Sequence, residues 1–223
     1  MTEGPTARAK AIRINERFRG KKLLDIFART KRMSINPRVL IGKKLEDVDT
    51  YGKNIILFLD SYAIRIHLMM YGTIHIYKPD EPLLKPERMI RLSLTFETGR
   101  LVVYNAPIVE LNRKSRIVRY LKRTLGEDPL RDDWNPEHAV QLILKHKNRK
   151  IGDVLLDQKV IAGVGNIVRN EVLFRAKIHP DRLVRDLTEE EVRQWVDYMA
   201  RNARSIDVEI DEVKQWELNS LFT

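Results

Sequence analysis

Apolar residues recur at helical spacing over residues 4–19. Ala7, Ala11, Ile14 and Phe18 fall on one face, Pro5 suits a first turn behind Gly4, and Gly20 ends the run. If this helix packs, Thr2 and Glu3 form a short arm fixed in place ahead of it. The period then changes. "NIILFLDSYAIRIHL", "TIHIY" and "IRLSLTFETGRLVVY" are short apolar or alternating runs, and they predict strands through residues 22–110. The last reads as a hairpin with Leu92, Leu94 and Phe96 on one face and a turn at Thr98-Gly99. "KPDEPLLKP" (78–86) reads as a loop. From Arg113 onward the strands stop. "RIVRYLKRTL", "HAVQLILKH", "IGDVLLDQ", "IVRNEVLFRA" and "TEEEVRQWVDYMARNA" read as helices, the last with Thr188 and Glu191 as a capping box and Leu187 with Val192 as a staple. The order predicts an α+β chain: an N-terminal antiparallel β-sandwich with a leading helix over 1–112, a linker and first helix over 113–134, and a helical domain over 135–223.

Composition adds three constraints. The chain has 223 residues, 43% of them hydrophobic, which suits a folded chain with a real core. It has no cysteine, so disulfides and thiolate metal sites are excluded, and its five histidines show no ligand spacing. No metal and no cofactor are expected. No apolar run is long enough to span a bilayer and "MTEGPTARAK" has no signal-like stretch, so the expected setting is intracellular, away from membranes. The net charge is +10, and an excess of this size favours a polyanion, because phosphate contacts release condensed counterions. A merely solvated basic surface is the competing explanation.

The stretch "LLDQKVIAGVGNIVRNEVLF" sets two glycines, Gly163 and Gly165, between helices. A dinucleotide fingerprint needs a preceding strand and a third glycine, and both are missing. Two readings stay open. The glycines permit a helix-helix corner, or they let backbone approach a phosphate at a helix start, with Asn166 as an added donor.

With "TEGP" (2–5), "YGKNIIL" (51–57), "HLMMYG" (67–72), "YNAPIVEL" (104–111) and "LGEDPL" (125–130), this stretch makes the chain resemble the formamidopyrimidine-DNA glycosylase and endonuclease VIII family, on the endonuclease VIII side. The resemblance identifies residues 155–180 as a helix-two-turn-helix and implies that Gly163, Gly165 and Asn166 hold a DNA phosphate beside the lesion. It implies a glycosylase that attacks the sugar C1′ with its N-terminal amine and then breaks the backbone. That amine is on Thr2 once Met1 is removed. An α-amine with a pKa of about 8 is on the order of one-tenth neutral at pH 7, against well under a thousandth for a lysine at about 10.4. The family usually has proline here. A primary amine gives an imine that can lose its proton, so slower or less complete elimination is expected.

Glu3 maps onto the family's catalytic carboxylate, although a capping carboxylate at a helix start is the simpler reading. Lys53 maps onto a hairpin lysine that contacts phosphate and assists catalysis, or is a solvated turn residue. Glu171 maps onto a residue that positions the amine, or is an exposed helix carboxylate. Met70 and Tyr71, with Met69 beside them, map onto side chains that fill the space a flipped base leaves. Periodicity alone puts one of the two methionines in the core. Arg113, Lys114 and Arg116 are candidate backbone contacts or a solvated face.

The resemblance also implies a C-terminal zinc finger or a zinc-less imitation of it. The last residues, "VKQWELNSLFT", offer neither a cysteine nor a counterpart to the finger's arginine, so weaker duplex affinity or altered lesion choice is expected. The expected partner is double-stranded DNA with a damaged base or abasic site, bound by a monomer. The alternatives are a non-catalytic damaged-DNA-binding protein of the same fold and a lyase acting mainly on abasic or single-stranded DNA.

Overall fold

The computed structural model describes residues 2–30, 32 and 34–202. Met1 and the C-terminal "VKQWELNSLFT" lie outside the described residues. The chain divides into two units: Thr2 with residues 7–123, and residues 3–6 with residue 124 onward. The partition crosses the first helix, α1 (Gly4–Phe18), and falls again within the last turn of α2 (Lys114–Thr124).

The first unit is a β-sandwich. Its strands are β1 (Leu23–Ala28), β2 (Asp47–Tyr51), β3 (Asn54–Leu59), β4 (Tyr62–His67), β5 (Thr73–Tyr77), β6 (Ile90–Phe96), β7 (Gly99–Tyr104) and β8 (Ile108–Arg113). They form two antiparallel four-stranded sheets of order β1-β6-β7-β5 and β2-β3-β4-β8. Alternation supplies the core: Leu92, Leu94 and Phe96 from one sheet meet Ile55, Leu57, Ile64 and Ile66 from the other. The α1 stripe predicted from spacing, Ala7, Ala11, Ile14 and Phe18, is buried in the same cluster, with Phe18 stacked on Phe96 at 4.6 Å between ring centroids. Each such large side chain contributes roughly 1.5–3 kcal/mol on burial. Gly20 ends α1 with φ 78°.

The β6-β7 hairpin turns one residue earlier than its pattern suggests. Phe96 pairs with Gly99, so the turn is Glu97-Thr98. Gly99 begins β7 instead, and it is glycine there because a Cβ would lie 2.2 Å from the Tyr77 carbonyl oxygen.

The second unit is helical: α3 (Pro136–Leu144), α4 (Ile151–Leu156), α5 (Asn166–Arg175) and α6 (Glu189–Asn202), around a core that includes Val140, Ile143, Val154, Val168, Val172 and Trp195. The α6 start is capped as the sequence indicates. Thr188 Oγ1 accepts from Glu191 N at 3.1 Å, Glu191 Oε2 accepts from Thr188 N at 2.8 Å, and Leu187 and Val192 are both buried. No helix among the described residues is long and apolar enough to cross a membrane.

Candidate active site

In the first unit, Thr2 is 7% exposed and its nitrogen donates to the Met69 carbonyl at 3.3 Å. Met69 follows the end of β4 with φ 51°, a left-handed conformation that breaks the strand's alternation. Leu68 therefore takes the core position, and Met69, Met70 and Tyr71 are 44%, 60% and 75% exposed. The expectation of one buried methionine is corrected on this point. The loop closes where Gly72 N donates to the Leu68 carbonyl at 2.9 Å, and a Cβ on Gly72 would sit 2.6 Å from that oxygen.

Lys53 occupies the two-residue turn between β2 and β3, after Gly52 at φ 57°. Its ammonium contributes to the field at His67, the last residue of β4. Burial first, then Arg65 and Lys53, push the His67 pKa down to about 4. His75 is also lowered, by burial, then Lys85 and Lys10.

These two shifts carry a sign. An unfolded histidine titrates near 6.5, so between that pH and the folded value the unfolded chain binds more protons. Stability from this source is complete above about pH 6.5 and is lost as pH falls toward 4. The thermal midpoint is expected to be lower at pH 5 than at pH 7.5, and the drop to shrink in His67→Asn. A midpoint that rises on acidification contradicts the assignment.

Arg113 ends β8 with its guanidinium 4.7 Å from the Tyr62 ring centroid and donating to Ser61 Oγ at 3.1 Å. Lys114 Nζ lies 4.7 Å from the Phe58 ring centroid. Arg116 is exposed on α2. The stems of the first two pack on the sheet's aromatic side chains while the group remains at the surface.

In the second unit the glycine turn is shaped by two different demands. Gly163 has φ 89°, which only glycine adopts without strain. Gly165 is extended, with φ −120° and ψ −168°, so its backbone would accept any residue. Its missing side chain makes room for Glu3: a Cβ there would lie 2.3 Å from the Glu3 Cδ. Glu3 is 3% exposed, and its carboxylate accepts from Ile167 N at 2.9 Å and Val168 N at 3.1 Å. Glu3 thus caps a helix, as the simpler reading holds. The helix is α5, more than 160 residues away, and not α1. The first-turn amides of α5 that would otherwise face an anion are occupied by this side chain.

Gln158 fixes the rest of the turn. Its amide nitrogen donates to the Leu156 and Val164 carbonyls, both at 2.9 Å, and its oxygen accepts from Gly163 N at 3.0 Å. Nothing in the sequence marks this glutamine. Asn166 follows as the exposed first residue of α5, and its side chain makes no hydrogen bond among the described residues. Glu171 forms an i,i+4 ion pair with Arg175 on the same helix. Five residues apart, Asn166 and Glu171 point about 140° from one another around the axis.

The structure therefore brings Thr2 to the Met69 loop, and Glu3 to the glycine turn beside Asn166. Glu171 is engaged with Arg175. Lys53 is electrostatically coupled to His67, at the start of the Met69–Tyr71 loop.

Residues 1–107 match the family model for the formamidopyrimidine-DNA glycosylase N-terminal domain, and residues 125–209 match that for the formamidopyrimidine-DNA glycosylase H2TH domain. The chain is 33% identical over 161 residues to a formamidopyrimidine-DNA glycosylase of Bacillus cereus, with 70% of this chain and 57% of the relative covered. It thus spans a little over half the length of that relative. It is 32% identical over 194 residues to "Endonuclease 8 1" of Mycobacterium bovis, covering 86% of this chain and 71% of the relative. A solved complex between the Lactococcus lactis Fpg and an abasic-site-containing DNA superposes with a TM-score of 0.79 at 27% identity, covering 91% of this chain and 77% of that one.

Proposed function

Given that the chain belongs to the formamidopyrimidine-DNA glycosylase family, we propose that it is a base-excision repair glycosylase with abasic-site lyase activity, using the amine of Thr2 as nucleophile. It acts inside the cell, as a monomer, on double-stranded DNA carrying an oxidised or otherwise damaged base. The observations that carry this reading are two separate anchors at the chain start: Thr2 N, a peptide nitrogen while Met1 is attached, is hydrogen-bonded to the Met69 carbonyl, and the Glu3 carboxylate is held in one orientation by two amides. Fixed placement of this kind is what a reaction between a chain-terminal nitrogen and a sugar carbon requires.

The residues divide the work. With Met1 removed, the neutral amine attacks C1′, and its lone pair forms the C–N bond as the glycosidic bond breaks and the base leaves with that bond's electrons. Glu3 takes a proton from the newly bonded nitrogen and delivers it to the ring oxygen, so that the C1′–O4′ bond breaks and the sugar opens to a Schiff base. The Schiff base acidifies C2′; loss of that proton expels the 3′ phosphate. Lys53 supplies charge at a phosphate. Asn166, which extends an unused donor at the start of α5, takes another, with Gly163 and Gly165 shaping the turn below it. Met69, Met70 and Tyr71 fill the space the flipped base vacates. Arg113, Lys114 and Arg116 contribute contacts to the strand, and Glu171 supports the amine's placement.

Borohydride trapping on an abasic duplex tests the reading. The expected product is a covalent adduct on the Thr2 nitrogen, located by peptide mass, together with release of free base from a lesion-bearing oligonucleotide. An adduct confined to a lysine overturns the assignment of the nucleophile. Tight, salt-sensitive binding without adduct or nicking identifies a non-catalytic binder instead. Nicking of abasic DNA without base release leaves a lyase.

A further inference from the structure

His67 stands outside every role assigned so far. It closes β4 and its ring Nδ1 accepts from Met69 N at 3.2 Å. That bond places the ring proton on Nε2. Met69 in turn sits at φ 51°, a conformation a methionine keeps only where its surroundings impose it. Two constraints do so: the bond to His67 on one side, and closure of the loop by Gly72 N on the Leu68 carbonyl on the other. The Met69 carbonyl so oriented accepts from Thr2 N.

We propose that His67 is a positioning residue for the nucleophile: through Nδ1 it fixes the Leu68–Met69 peptide, and with it the conformation of Met69, whose carbonyl in the next peptide aligns the Thr2 nitrogen. The inference rests on the reading of Thr2 as the attacking amine. It assigns work to a residue that acts on the Thr2 nitrogen only through Met69. Burial of the ring agrees with the role, because a neutral imidazole keeps the Nδ1 lone pair that the bond requires.

Three substitutions in the full chain with Met1 removed separate this from a packing role. His67→Asn places an amide oxygen close to where Nδ1 stands. His67→Gln places its amide nearer Nε2, and His67→Leu fills the space with no acceptor. The borohydride-trapping rate constant is expected to fall roughly tenfold to a hundredfold in the Leu and Gln variants, with duplex affinity little changed. The Asn variant is expected to stay within about threefold of the parent. Equal rates in the Leu variant and the parent overturn the inference, as does an Asn variant no faster than Gln. The Asn-against-Gln comparison decides the matter even if Leu lowers the thermal midpoint too far to assay. An adduct missing from the parent chain itself brings down the functional reading, and this inference with it, which is a different result from an adduct that forms regardless of residue 67.

Discussion

Glu3→Gln is expected to abolish strand scission at an abasic site by at least about a hundredfold while leaving a chain that still binds duplex DNA. The magnitude follows from removing a positioned proton carrier, which is worth on the order of 10²–10⁴ in rate. The substitution is not silent structurally. Glu3 accepts from two α5 amides, one at each carboxylate oxygen. Glutamine keeps one oxygen and turns an NH2 group toward the other amide, donor against donor. A buried amide left without its acceptor costs about 1–3 kcal/mol, so the thermal midpoint is expected to fall as well. Trapping rate, midpoint and duplex affinity must therefore be read together. Full scission activity with a lowered midpoint would leave Glu3 as a cap and nothing more.

Gly165→Ala is expected to lose activity to a similar degree with Glu3 untouched. The backbone at this position suits alanine, so α5 should persist. The added methyl would lie 2.3 Å from the Glu3 carboxyl carbon, well inside contact distance, and the flexible side chain is the party that moves. Eviction removes both bonds to the α5 start and costs about 1–2 kcal/mol, in the range of a lost helix cap. The decisive measurement is the rate of Schiff-base trapping beside the melting curve. A variant that melts earlier yet traps at the parental rate would show that the carboxylate's place in the glycine turn is immaterial to the chemistry.

What could be read from the sequence divides along physical lines. The α1 stripe, the capping box at Thr188 and Glu191, and the paired strands were legible, because each is a pattern within a few residues that one element imposes on its own side chains. The β6-β7 turn was misplaced by one residue because Gly99 answers to Tyr77 on a different strand. The methionine that periodicity puts in the core is exposed because Met69 leaves extended geometry, and φ at a non-glycine residue has no local signature. Glu3 on the α5 amides joins positions more than 160 residues apart, so local pattern could suggest a cap but not which helix it serves. Gln158 acts through three hydrogen bonds to backbone and His67 through one, and no local pattern in the sequence marks either. The resemblance to a known family supplied candidate residues, but not the pairing of Gly165 with Glu3 that explains why the turn needs a second glycine.

The exposed pair Met69 and Met70 has a chemical consequence. Thioethers at the surface are among the first protein groups that peroxide converts to sulfoxide, and the product is polar where the proposed role calls for an apolar wedge. If the loop fills the space of a flipped base, as proposed, the oxidative stress that creates damaged bases would blunt it, and the state of these two sulfurs would govern how much activity survives the exposure.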